Sequence, residues 1–210
     1  MRRRHPTRVA ALIATVALAP LGAQPAMADD TDKPPAAHPR LISFGGSGCK
    51  KNEGVKVFQG PDTVSLVYSK FTAEAPSTEP HANLRECAVK LALDFSGGWQ
   101  WSVVKTRYTL NLSIAEGAKA EHTSRYFFED SGEESSSNQV FEGPKLGETR
   151  YADQQNVTTW SRCGSSQQFQ ILNTLYAEAG PQGQKAHVSL DTQDTSIESK
   201  IVFDLGWRRC

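Results

Sequence analysis

The clearest pattern along this chain is a two-residue alternation of apolar and polar positions. In Cys87-Ala-Val-Lys-Leu-Ala-Leu-Asp-Phe95, residues Cys87, Val89, Leu91, Leu93 and Phe95 fall on one face and Lys90 and Asp94 on the other. A strand with one face in a core reads this way. The run from Trp99 to Ala115 is longer and changes phase. Trp99, Trp101 and Val103 alternate first, then Val104, Tyr108, Leu110, Leu112 and Ile114 take over. A shift of one residue in mid-run predicts a β-bulge at Val103-Val104. Similar runs predict strands at residues 55–59, 63–71, 122–128, 139–142, 157–161, 168–176, 186–191 and 196–207.

Turn chemistry separates these runs: Gly60-Pro61-Asp62, Ser96-Gly97-Gly98, Gly143-Pro144 and Gly180-Pro181-Gln182-Gly183. Two polar stretches, residues 72–83 and the acidic, serine-rich 129–137, read as surface loops. One short, proline-broken helix candidate covers residues 77–85. Many short strands with regular turns and no long helical period predict an all-β fold, an antiparallel β-sandwich of Greek-key or jelly-roll type.

The N-terminus follows a different rule. Arg2, Arg3, Arg4 and Arg8 precede an apolar run from Val9 to Ala19, and small residues end in Ala26-Met27-Ala28. This is the layout of a secretory signal peptide cleaved after Ala28. The apolar run is too short to span a bilayer. Expected boundaries are therefore a signal peptide over 1–28, a disordered polar leader over 29–40 and one domain over 41–210, secreted and without a membrane span.

Export changes the charge balance. The full chain has 23 basic and 23 acidic side chains; removing residues 1–28 takes away four arginines and no acid, leaving about four net negative charges. That is a poor match to nucleic acid or to an anionic membrane. The same export gives the four cysteines, Cys49, Cys87, Cys163 and Cys210, an oxidising destination, so they read as two disulfides. Three connectivities are open. Neighbour pairing, Cys49–Cys87 and Cys163–Cys210, is favoured because it staples each half locally. No C-x-x-C pair supports zinc, and no cofactor is expected.

Gly46-Ser-Gly-Cys49, Cys87 opening its strand, Phe141-Glu-Gly-Pro144, Trp160-Ser-Arg-Cys163 and Trp207-Arg-Arg-Cys210 occur in this order. The set resembles the secreted family of bacteria and fungi known as domain of unknown function 4360, over roughly residues 41–210. The resemblance implies a small, secreted, disulfide-bonded, β-rich domain and carries over no catalytic residues. One departure is Gly97-Gly98-Trp99, where a proline-glycine-phenylalanine type of step is expected.

Candidate chemistry is sparse. No G-x-S-x-G elbow accompanies the serines. Of the histidines beyond the leader segment, His81 falls in a predicted loop, while His122 and His187 fall in strands; His38 lies in the leader. Glu129, Asp130, Glu133 and Glu134 are a possible acid–base pair or calcium site, but a serine-rich tract promises solvent rather than the burial that raises a carboxyl pKa. Their spacing is not that of an EF-hand. Asp191-Thr-Gln-Asp194 is a second acidic turn of the same kind. The remaining signal is aromatic: Trp99 and Trp101 share a strand face after Gly97-Gly98, and two coplanar indoles would make a stacking platform for sugar rings. The alternative places both in the core. The expected function is thus a non-enzymatic extracellular binding or structural module, acting as a monomer on a glycan or protein ligand, with a secreted hydrolase as the alternative.

Overall fold

Twelve strands alternate their side chains across two sheets in the computed structural model. It describes residues 33–51, 54–154, 159–164, 166–190 and 200–210. The expected signal peptide, residues 29–32 of the expected leader and the acidic turn at 191–194 lie outside the described residues. The strands are β1 (His38–Gly45), β2 (Val55–Gln59), β3 (Thr63–Tyr68), β4 (Thr72–Ala75), β5 (Leu84–Asp94), β6 (Trp99–Ile114), β7 (Lys119–Phe128), β8 (Ser135–Glu142), β9 (Lys145–Gln154), β10 (Phe169–Glu178), β11 (Ala186–Ser189) and β12 (Lys200–Arg209). Sheet A runs β1-β5-β10-β7-β8, and sheet B contains the rest. All pairings are antiparallel.

The long strand β6 organises sheet B. On one edge it carries β9 along 105–114. On the other it carries β12 and β11 end to end, opposite 99–109 and 111–114. The bulge is where the phase shift puts it: Asp204 faces Lys105 and Leu205 faces Val103, so Val104 has no opposite number. Trp101 and Val103 point inward before it, and Thr106, Tyr108, Leu110, Leu112 and Ile114 after it. The extra residue rotates the strand so that both halves bury their apolar set. Gly206 of β12 sits beside the bulge because a Cβ there would come within 2.4 Å of Val104 Cγ1.

Several expectations need correction. The leader is shorter than residues 29–40, since His38, Pro39 and Arg40 already pair with Asp94, Leu93 and Ala92 of β5. No helix forms over 77–85: residues 77–83 make turns, and Leu84 and Arg85 begin β5. The loop expected over 72–83 opens with β4, and the loop expected over 129–137 ends in β8. Strand β9 was not expected at all. Its residues are exposed and half-buried in alternation and none is fully buried, as suits an edge strand with few apolar side chains. Thr159, Trp160 and Ser161, the described part of an expected strand, lie outside regular structure but are tied to β6 through Ser161 N donating to Trp101 O at 2.9 Å.

Both disulfides pair neighbours, Cys49–Cys87 and Cys163–Cys210, with Cα separations of 5.4 and 5.9 Å. The first lies in the core and the second is exposed. Among the described residues no helix is long and apolar enough to cross a membrane.

Candidate functional site

The alternation that fills the core also decides what the outer faces display. Tyr126-Phe127-Phe128 on β7 cannot all face inward; Tyr126 and Phe128 are buried, which turns Phe127 to the outside of sheet A. On β10, Ile171 is buried and Leu172 is turned out for the same reason. Register then brings distant residues together. Leu172 stands between Ala88 of β5 and Arg125 of β7, and Gln170 between Lys90 and Phe127.

The turn joining β7 to β8 folds over this end of the face. Ser131 N donates to Phe128 O at 3.1 Å, and Asp130 takes a left-handed φ of 64°. The result is a cleft of about 390 Å³ with Ala88, Phe127 and Leu172 as apolar lining, Gln170 and Arg125 beside them, and Asp130, Glu133 and Glu134 on the rim. Arg125 grips Glu134 with two bonds, Nε and Nη2 each donating at 2.7 Å. This fork holds the Glu134 carboxyl below its ordinary range, first through hydrogen bonding. A second depression of about 410 Å³ lies toward the other end of β10, where Tyr176 meets the turn at 76–81.

The acidic tract is thus partly brought together, but as an exposed, ion-paired rim. Lys90 reaches Glu129 at 3.3 Å and Arg162 reaches Asp130 at 3.8 Å. A general acid for glycoside cleavage needs a carboxyl pushed up, and Glu134 is pushed down. Among the described residues no cluster of three or more His, Cys, Asp or Glu side chains is arranged to hold a metal ion.

His122 does not reach the cleft. It is fully enclosed between the sheets, sharing a hydrogen bond between Nδ1 and the Tyr151 hydroxyl. Ser124 Oγ lies 3.4 Å from its Nε2 and donates to Asn173 Oδ1, and Asn173 Nδ2 donates to the Tyr68 hydroxyl at 2.8 Å. Burial lowers the His122 pKa to about 4, so the ring is neutral and structural at ordinary pH. His187 is half-buried opposite Glu74, His81 sits exposed in a turn, and His38 Nδ1 lies 3.2 Å from Gln59 Oε1.

The tryptophan platform needs correction. Trp101 is 1 % exposed, with edge-on contacts to Phe128 and Phe169 at ring separations of 4.7 and 5.2 Å. Trp99 is 7 % exposed and is covered by Arg209. Both indoles share a face as expected, but Trp101 packs against sheet A and Trp99 lies under Arg209, so neither is open to a sugar ring. The residues that line the cleft instead, Phe127, Leu172, Gln170 and Arg125, were missed. One signal pointed to them: a run of consecutive apolar residues in an otherwise alternating strand must turn one outward.

Comparison with known proteins gives three findings. Among solved structures, the carbohydrate-binding module TmCBM61, determined in complex with β-1,4-galactotriose, aligns over 80 % of this chain and 88 % of its own, with 13 % identity and a TM-score of 0.29. At that score the likeness carries no argument. An uncharacterized secreted protein of Arthroderma benhamiae is 25 % identical over 187 residues, covering 87 % of this chain and 74 % of the relative. The family described as domain of unknown function DUF4360 matches residues 38–210, the whole of the sandwich from β1 to Cys210, and the chain belongs to it.

Proposed function

We propose that this protein is an extracellular, non-enzymatic binding module that takes a glycan chain on the outer face of sheet A. The observation that carries this reading is the Phe127 cleft. It joins an apolar floor, suited to the CH face of a sugar ring, to a fixed Arg125–Glu134 fork and to Gln170, which can meet hydroxyls. Its volume of about 390 Å³ is that of a small-ligand cleft. Leu172, Thr174 and Tyr176 form an outward row on β10 between the two depressions, about 13 Å from Leu172 to Tyr176 at strand rise. That row favours an extended oligosaccharide over a monosaccharide.

A carboxyl held down supports binding rather than cleavage: Arg125 keeps Glu134 of the cleft below its ordinary range, and the buried histidine is sealed between the sheets. A glycan array probed with the protein beginning at Asp29, followed by calorimetry on the best hit, tests the reading. Phe127→Ala should abolish binding while leaving the fold intact. Unchanged glycan affinity in that variant, or sugar release from a hydrolase substrate panel that Glu134→Gln eliminates, would overturn it.

A further inference from the structure

The outer face of sheet B has the opposite character from the acidic-rimmed cleft of sheet A. Strands β9, β6 and β12 form a groove of about 730 Å³ there, and Arg107, Arg150 and Lys200 line it. Register sets out their positions. Arg150 of β9 and Lys200 of β12 stand opposite Thr109 of β6 from its two sides, about 10 Å apart across two strand spacings. Arg107 projects two residues along β6 from Thr109. Lys105 and Lys56 extend the same cationic face at its margins.

The two arginines each have a carboxylate partner, held lightly. Arg107 meets Asp204 through Nη2, and Arg150 meets Glu148 through Nε at 2.6 Å. The Arg150 side chain is 75 % exposed. Exposed pairs of this kind hold little free energy, so a ligand anion can share or replace the carboxylate. A guanidinium has five donors in a flat fork, and one contact to Asp204 or Glu148 leaves others to face the groove.

We infer that this groove is a second binding site, for an anionic polysaccharide bearing one carboxylate per sugar. The cations are spread along the groove at their backbone positions, which suits repeated single charges better than one compact dianion. Glu148 within the lining repels the dense phosphates of nucleic acid more than sparser single carboxylates. The two aromatics in the lining, Tyr108 and Tyr151, are stacked on each other at 4.5 Å, with Tyr108 buried and Tyr151 bonded to His122, so neither is presented for stacking on a base. Ala152, Val202 and Thr109 provide a floor of small and apolar groups between the cations. This inference is independent of the sheet A reading, since the two surfaces lie on opposite outsides of the sandwich.

Calorimetry with a short oligogalacturonate at low ionic strength tests it. Binding is expected, weakening as salt is raised. Arg150→Glu and Lys200→Glu should each lower affinity by about tenfold or more, and Arg40→Glu, the same charge change at an exposed position of sheet A outside both clefts, should leave it unchanged. The fully methyl-esterified oligomer, which has the same sugars without the charge, should bind poorly. The inference fails if oligogalacturonate does not bind, if the ester binds equally, or if both charge reversals are silent in variants with native circular dichroism. Tighter binding of polyglutamate or single-stranded DNA than of oligogalacturonate would also overturn it, by making the partner an acidic protein or a nucleic acid.

Discussion

The guanidinium of Arg209 lies 4.3 Å from the centre of the Trp99 ring, closing the end of the core that the first residue of β6 opens. The two are direct partners across β6 and β12, so the contact follows from strand register. Arg208 makes the same kind of contact with the Trp160 ring, also at 4.3 Å. A cation over an indole at a partly exposed site is worth about 0.5–1 kcal/mol. Arg209→Ala should therefore lower unfolding free energy by about that amount, and Arg209→Lys by less, as read by denaturant titration.

Trp101 and Phe127 should separate core from surface. Trp101→Ala removes a ring packed edge-on against Phe128 and Phe169, and should cost about 3–5 kcal/mol. Phe127→Ala, on the outer face, should shift stability by no more than about 0.5 kcal/mol. Comparing their denaturation midpoints checks both values. A mild Trp101→Ala would mean that the ring is not part of the core.

Stability should fall with acid through His122. Its pKa is lowered by burial from 6.5 to about 4, so between these values the unfolded chain binds the proton that the folded chain refuses. The contribution is intact above pH 6.5 and is lost as pH falls toward 4. The slope approaches about 1.4 kcal/mol per pH unit, roughly 3 kcal/mol over the window. Unfolding free energy measured across pH 4–7 should show this slope, and His122→Gln should flatten it.

The two disulfides should differ in access. Cys49 and Cys87 are 2 % and 0 % exposed, whereas Cys163 and Cys210 lie at the surface. Mild reductant followed by alkylation and peptide mapping should label Cys163 and Cys210 first. Replacing both members of that pair should cost about 2–5 kcal/mol.

The N-terminus offers a separate test. Intact mass of the protein recovered from the medium of the native host should correspond to a chain beginning at Asp29. A main species retaining residues 1–28 would exclude cleavage after Ala28.

The sequence by itself determined the class of fold and the bulge in β6, and it favoured the disulfide pairing that forms. These are local or periodic properties: strand alternation has a period of two, a bulge breaks that period at a definite residue, and cysteines near in sequence cost least to close into loops. It also determined that Trp99 and Trp101 share a face. Only the tertiary structure decided which face that was, because alternation says which residues lie together and not which side meets another sheet. Phe128 and Phe169, from strands far along the chain, settle the matter by packing on Trp101. β9 escaped notice because an edge strand buries too little to need an apolar pattern. The Phe127 cleft and the Arg107–Arg150–Lys200 groove were illegible for a related reason. Each is assembled by cross-strand register among residues tens of positions apart, and register is fixed by how the two sheets pair and pack.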